Sequence, residues 1–344
     1  MKDLLFEYDM HLDFEPPVEE HRFTLKCIPQ TDERQLINRL DVEVYPKEFL
    51  STDKDSFGNY SIYGYTKGKH DRFFARIRGG ARTGLAAALP AKANHQIGLF
   101  KYQTDYTRPG PAILAFAKRF EGAAEDWAES SMAETADCGV SRPVPLVDCA
   151  AGSPATAEKC KEGHLAEAAN CEACRPAAAV DGEACRSDAS QKSGDECANA
   201  AAWQSGMSTL DFAVTMMHTL YENFSYVKGV TDVHTTAEEA MALGKGVCQD
   251  YAHILLSLCR IYKIPCRYVV GMLIGEGLSH AWVEVCDSGY WYALDPTNNL
   301  IVDDAHIKIS SGRDYHDCIV SQGVFVGRTK QTQTVAVRVK EANV

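Results

Sequence analysis

Apolar residues in the first hundred positions recur mostly at every second residue. "HRFTLKC" sets Phe23, Leu25 and Cys27 on one side of an extended chain, and "DVEVY" does the same with Val42 and Val44. "RFFARIR" adds another short run, and "DSFGNY" supplies turn residues between runs. Period-two alternation puts alternate side chains on one face of a sheet, so residues 1–100 are predicted as a small antiparallel β-sandwich. From "RPGPAILAFAKRFEGAAEDWAES" the spacing turns helical: Pro111 suits a first turn, and Ile113, Leu114, Ala117 and Phe120 form an inward stripe. "STLDFAVTMMHTLYENFSY" predicts a second helix with Leu210, Val214, Met217 and Tyr221 facing the core.

Downstream, "HTTAEEAMALGKG" opens on Thr235 or Thr236 three residues before Glu238 or Glu239, a capping-box pattern, and closes on Gly244 as a helix stop. A further helix starts near Cys248, with Tyr251, Ala252, Leu255, Leu258, Cys259 and Tyr262 at helical spacing until Pro265 ends it. "CRYVVGML", "SHAWVEV" and "YWYALDP" then read as three strands, with "IGEGL" and "CDSG" as the turns between them.

The stretch from Cys138 to Cys197 fits neither period. It lacks aromatic residues, is rich in Ala, Gly, Ser and Pro, and holds Cys138, Cys149, Cys160, Cys171, Cys174, Cys185 and Cys197. Prolines and glycines forbid one continuous helix. A weakly ordered insertion, a metal-ordered module built around "CEAC", and redox chemistry all remain open.

Composition narrows the function. Hydrophobic residues at 45% and charged residues at 24% suit a globular chain. A net charge of -12 argues against nucleic acid as partner. The acidic N-terminus has no apolar signal-peptide core, and no uncharged run approaches a membrane span, so a cytoplasmic protein without membrane contact is expected. The cysteine count, thirteen, is odd, and free thiols are the default expectation.

Cys248 falls in the first turn of its helix. Unpaired N–H groups and the positive end of the helix dipole favour a thiolate, and such sites lower cysteine pKa values from about 8.5 to roughly 3.5–7.5. Gly246 is expected to leave room for a substrate chain. A thiol nucleophile needs a base held by a third group. His280 begins the second strand and Asp295 ends the third, so adjacent antiparallel strands can set them side by side. Trp282, two residues on from His280, is expected on the same face, where it could wall an acyl site or simply pack in the core. Asp250 is expected to cap the helix. His253, Cys259 and Cys266 suggest metal ligands, but Cys248 and His253 lie five residues apart and face different ways on the helix, and no metal or cofactor is expected at this site.

"GKGVCQDYAHILLSLCRIYKIPCRYVVGML", "SHAWVEV" and "WYALDPTNN" together resemble the three blocks of the transglutaminase-like superfamily. "AHIKISSGRDYHD", with His306 and Asp314, resembles the segment that follows the Asp in bacterial members, and the N-terminal β region resembles their accessory domain. The resemblance implies an α+β fold, a papain-like transglutaminase core preceded by an antiparallel β-sandwich domain, with Cys248, His280 and Asp295 as its triad. The organisation expected is 1–100 for the β domain, 101–137 and 198–330 for the core, 138–197 for the insertion and 331–344 for a C-terminal strand or tail. The favoured activity is hydrolysis of peptide or amide bonds through a thioester. A transglutaminase that passes the acyl group to an amine, and a non-catalytic binding protein of the same fold, are the alternatives. The partner in each case is a peptide or protein substrate.

Overall fold

Strand β1 (Lys2–Leu25) alternates over its whole first half: Leu4, Phe6, Tyr8, Met10, Leu12 and Phe14 are buried, while Leu5, Glu7, Asp9, His11 and Asp13 face outward. That half pairs with β5 (His70–Thr83) on one edge and with β16 (Lys330–Glu341) on the other. After a register shift between Asp13 and Val18, the second half pairs with β4 (Tyr60–Thr66) and β15 (Ser321–Val326). Strands β2 (Gln35–Tyr45) and β3 (Phe49–Lys54) extend the two ladders through β5 and β4. One long strand thus serves two antiparallel ladders, and Phe6, Met10, Leu25, Ile62, Phe73 and Ile77 share the core between them. The turn at "DSFGNY" is held by Asp55, whose carboxylate accepts the N–H groups of Phe57 and Asn59 at 2.9 Å each. Residues 321–341, divided on sequence between the core and a tail, lie in this β region as β15 and β16.

The computed structural model describes residues 1–91, 96–124, 127 and 207–342. The Cys-rich stretch 138–197 lies outside them, and with it the thiols expected there. Helices are α1 (Gln96–Leu99), α2 (Pro111–Ala117), α3 (Thr209–Asn223), α4 (Ala237–Leu243) and α5 (Cys248–Ile261). No helix among the described residues is long and apolar enough to cross a membrane.

The second sheet has the order β13 (Leu300–Ile301), β12 (Tyr290–Asp295), β11 (His280–Asp287), β9 (Cys266–Leu273), β14 (His306–Gly312), all antiparallel, with β6 (Leu89–Pro90) added beside β12. Helix α5, buried from Asp250 to Arg260, packs with α3 against Tyr268, Val270, Ala281, Val283 and Val285. Met272, Ile307 and Ile309 instead join the core of the β region. Burying an aliphatic side chain in such a layer stabilises by about 1.5–3 kcal/mol.

The expected helical stripes need correction. Leu114 is half exposed, and Phe116 is buried with Ile113, Ala117 and Phe120. In α3 the inward side is Phe212, Ala213, Met216, Met217 and Leu220, while Tyr221 is exposed. The run "FAVTMM" is apolar on more than one side, and packing against α5 and β11 selects the side. "IGEGL" is not only a turn: β10 (Gly275–Gly277) pairs with β16, tying the connection before His280 to the β region.

Candidate active site

The approach to Cys248 is fixed by a chain of caps. Thr236 caps α4, its backbone N–H donating to Glu239 Oε2 at 2.8 Å while Glu239 N–H donates to Thr236 Oγ1 at 3.3 Å. The neighbouring Glu238 accepts the N–H groups of Gly110, Ala112 and Ile113 at 2.7–3.0 Å, and so caps α2 from another segment. Gly244 ends α4 in the left-handed region, as expected. The chain then forms β8 (Lys245–Gly246) beside the parallel β7 (Ser225–Tyr226) and enters α5 at Cys248.

Asp250 holds this entry. Its Oδ2 accepts the Val247 N–H and the Thr231 hydroxyl, both at 2.7 Å. Val247 has no side-chain acceptor to return, so the arrangement is half of a capping box. A Cβ at Gly246 would sit 2.3 Å from Asp250 Oδ2. The glycine therefore makes room for this buried carboxylate. Gln249 donates to the Val233 carbonyl at 3.2 Å.

Cys248, half-buried, meets His280 at the start of β11. His280 Nε2 donates to Asp295 Oδ2 at 2.7 Å, which leaves Nδ1 for the thiol. Burial alone would push His280 down; hydrogen bonds with Asp295 and Cys248 overcome it and hold the imidazole at about 10. Asp295 is fully buried. Burial acts to raise it, yet hydrogen bonds from His280, His306 and Asn298 hold it well below the usual carboxylate range. Its Oδ1 accepts the N–H groups of Thr297 (3.0 Å) and Asn298 (3.2 Å); Oδ2 also accepts Asn298 Nδ2 (2.7 Å) and His306 Nε2 (3.1 Å). The three residues expected on sequence thus come together as a cysteine, an imidazole and a carboxylate in series.

Trp282 lies on the His280 side of β11, as expected, in a packing role. It lies buried with Val269, Ala293 and Val302, its ring centroid 6.1 Å from that of His280 and 5.3 Å from that of His306. It backs the two imidazoles. A Cβ at Gly271 would lie 2.2 Å from its ring and 2.3 Å from the Ile307 carbonyl, so only glycine lets the indole close on β9 and β14.

His306 was visible on sequence only as part of a block; nothing in its spacing points to Asp295. Asp314 stands apart, accepting the His316 N–H at 2.9 Å, while Arg313 grips Asp317 through three hydrogen bonds, two from its guanidinium and one from its backbone N–H. His253 is a core residue between Tyr106 and Tyr268, accepts the Tyr315 N–H at 3.2 Å, and is pushed down to about 3 by burial. Cys259 and Cys266 are buried thiols. Among the described residues, His280, Asp295 and His306 could group around a metal ion, with ligand atoms within 4.8 Å of one another. Their contacts fit N–H donors converging on one oxygen.

Fold and site define a papain-like α+β protein with a Cys-His-Asp constellation. Residues 198–296 match the transglutaminase-like superfamily, and residues 5–81 match the bacterial transglutaminase-like N-terminal region. The chain belongs to the transglutaminase-like superfamily and carries the bacterial N-terminal region. An uncharacterized protein of Mycobacterium leprae is 37% identical over 124 residues, covering 33% of this chain and 44% of that protein. One of Mycobacterium tuberculosis is 32% identical over 122 residues, covering 31% and 39%. The match thus spans less than half the length of these curated relatives. A solved structure from Cytophaga hutchinsonii, described as a "putative cysteine protease", aligns over 100% of this chain and 92% of its own, with a TM-score of 0.60 and 15% identity. That likeness bears on the fold.

Proposed function

We propose that this chain is a thiol-dependent hydrolase of peptide or amide bonds. The observation that carries the reading is His280 between two partners: its Nε2 on the buried Asp295 carboxylate at 2.7 Å, and the Cys248 thiol, in the first turn of α5, as its other hydrogen-bond partner. Cys248 sulfur attacks the amide carbon, and the imidazolium gives its proton to the leaving nitrogen as the C–N bond breaks. Water then attacks the thioester, returns a proton to His280 and frees the thiolate. Asp295 keeps the imidazole in its tautomer and stabilises its charge. The first-turn N–H of Cys248, which has no intrahelical acceptor, is aimed to bind the developing oxyanion.

The substrate is a peptide or protein. A peptide library with and without a primary amine, on wild type and Cys248→Ala, tests the proposal. Cleavage without amine, lost in the variant, is expected. Amine incorporation in place of cleavage would make the protein a transferase, and equal activity in both chains would end the catalytic reading.

A further inference from the structure

We propose that His306 is a positioning residue of this site, a second imidazole that locks the Asp295 carboxylate so that His280 stays aimed at Cys248. The inference rests on the function proposed above.

Asp295 does not need His306 for satisfaction. A carboxylate offers about four lone-pair sites. Here His280 Nε2, Asn298 Nδ2 and the N–H groups of Thr297 and Asn298 already supply four donors, and His306 Nε2 arrives as a fifth at 3.1 Å. Three of the four come from the turn that directly follows Asp295 and move with it. His306 comes from β14, at the far end of the sheet order from β12. It ties the carboxylate to a strand that is independent of its own turn.

The ring that does this cannot swing. The His306 side chain is 3% exposed, stands edge-on to Trp282 with planes at 78°, and Trp282 is in turn seated against Gly271. The other nitrogen, Nδ1, is buried without a hydrogen bond, 3.5 Å from Asp303 Oδ1. Placing an imidazole in such surroundings costs solvation that a hydrocarbon side chain would not. The return is geometric: with two imidazoles on Oδ2, the carboxylate cannot rotate away from His280. The groups that face His280 are Cys248 from α5, Asp295 from β12 and His306 from β14, with Asp303 reaching it only through His306.

The test compares His306→Ala with His306→Gln, whose amide N–H reaches the place of the imidazole Nε2–H. Three quantities are measured: kcat and KM on a peptide substrate, the pH profile of Cys248 alkylation by iodoacetamide read by mass spectrometry, and Tm. Misplacing a catalytic group by about an ångström costs on the order of 10- to 100-fold. Ala is therefore expected to lower kcat at least tenfold with KM nearly unchanged and to displace the alkylation profile, with Gln restoring most of both. A lower Tm with kcat and profile superposed on wild type would reduce His306 to a core residue, as would Gln performing no better than Ala. If the Ala variant fails to fold by circular dichroism, His306→Asn, whose amide falls short of Oδ2, takes its place. A wild type that cleaves nothing, in a set where Ala still displaces the alkylation profile, would remove the hydrolase reading and leave the positioning role standing.

Discussion

Gly246→Ala isolates the coupling between the residue before the nucleophile helix and its cap. The new Cβ would lie 2.3 Å from Asp250 Oδ2, 2.7 Å from Cγ and 2.8 Å from Cβ. The carboxylate must move by roughly an ångström to reach ordinary contact, and its 2.7 Å bonds to the Val247 N–H and the Thr231 hydroxyl are lost together. Hydrogen bonds to a charged group are worth about 1.5–3 kcal/mol each, and the alanine returns about 0.4–1 kcal/mol by restricting the unfolded chain. Burial pushes the Asp250 carboxyl up and so weakens its charge, which puts the net cost at about 2–4 kcal/mol. At roughly 2–4 °C per kcal/mol, Tm should fall by about 5–15 °C. The decisive measurement is a double-mutant cycle by urea unfolding: in an Asp250→Gly background neither the carboxylate nor the Cβ 2.8 Å away remains, so Gly246→Ala should cost almost nothing there. A coupling of at least 1 kcal/mol is expected. Equal costs in both backgrounds, or a raised KM with unchanged Tm, would refute the reasoning and return Gly246 to the role of substrate clearance.

Asp295→Asn keeps the shape of the dyad but presents the wrong partner to His280; turnover should fall by about 10⁴-fold while circular dichroism is unchanged. Glu284, buried between Arg267 (2.5 Å) and Lys308 (2.8 Å), is held at about 2 against an ordinary 4.5, burial being outweighed by the two cations. Its folded value is depressed, so its contribution of about 3 kcal/mol is present above pH 4.5 and lost as pH falls toward 2. Glu284→Gln should therefore be less stable at neutral pH and show a flatter acid limb in thermal melts. Leu114→Glu should change stability by less than about 0.5 kcal/mol, whereas Ile113→Ala on the same helix should cost about 2–5 kcal/mol.

The triad was legible because each member sits where an element begins or ends, and element ends are where sequence is most sharply punctuated. Gly244 and Pro265 bracket the helix of Cys248, and turn residues bracket the strands of His280 and Asp295. The phase of α3 was not legible, because apolar neighbours such as Phe212, Ala213 and Val214 fit several stripes, and the packing partner decides. The first half of β1 alternates with period two from Leu4 to Phe14, but Glu7, Asp9 and Asp13 between the apolar positions are residue types depleted in strands and mask the alternation. The contact of His306 with Asp295, and the pairing of β10 with β16, are products of tertiary pairing between strands, which no local period encodes.

Strand β1 has its partner β5 complete by Thr83, but β16, on its other edge, starts only at Lys330. On a ribosome adding about 5–20 residues per second, that edge waits roughly 12–50 s for its neighbour. Meanwhile a long row of unpaired amides alternating with Leu, Phe and Met stands open to any other nascent strand. Translation therefore passes through an adhesive interval, which ends only as residues 330–341 emerge.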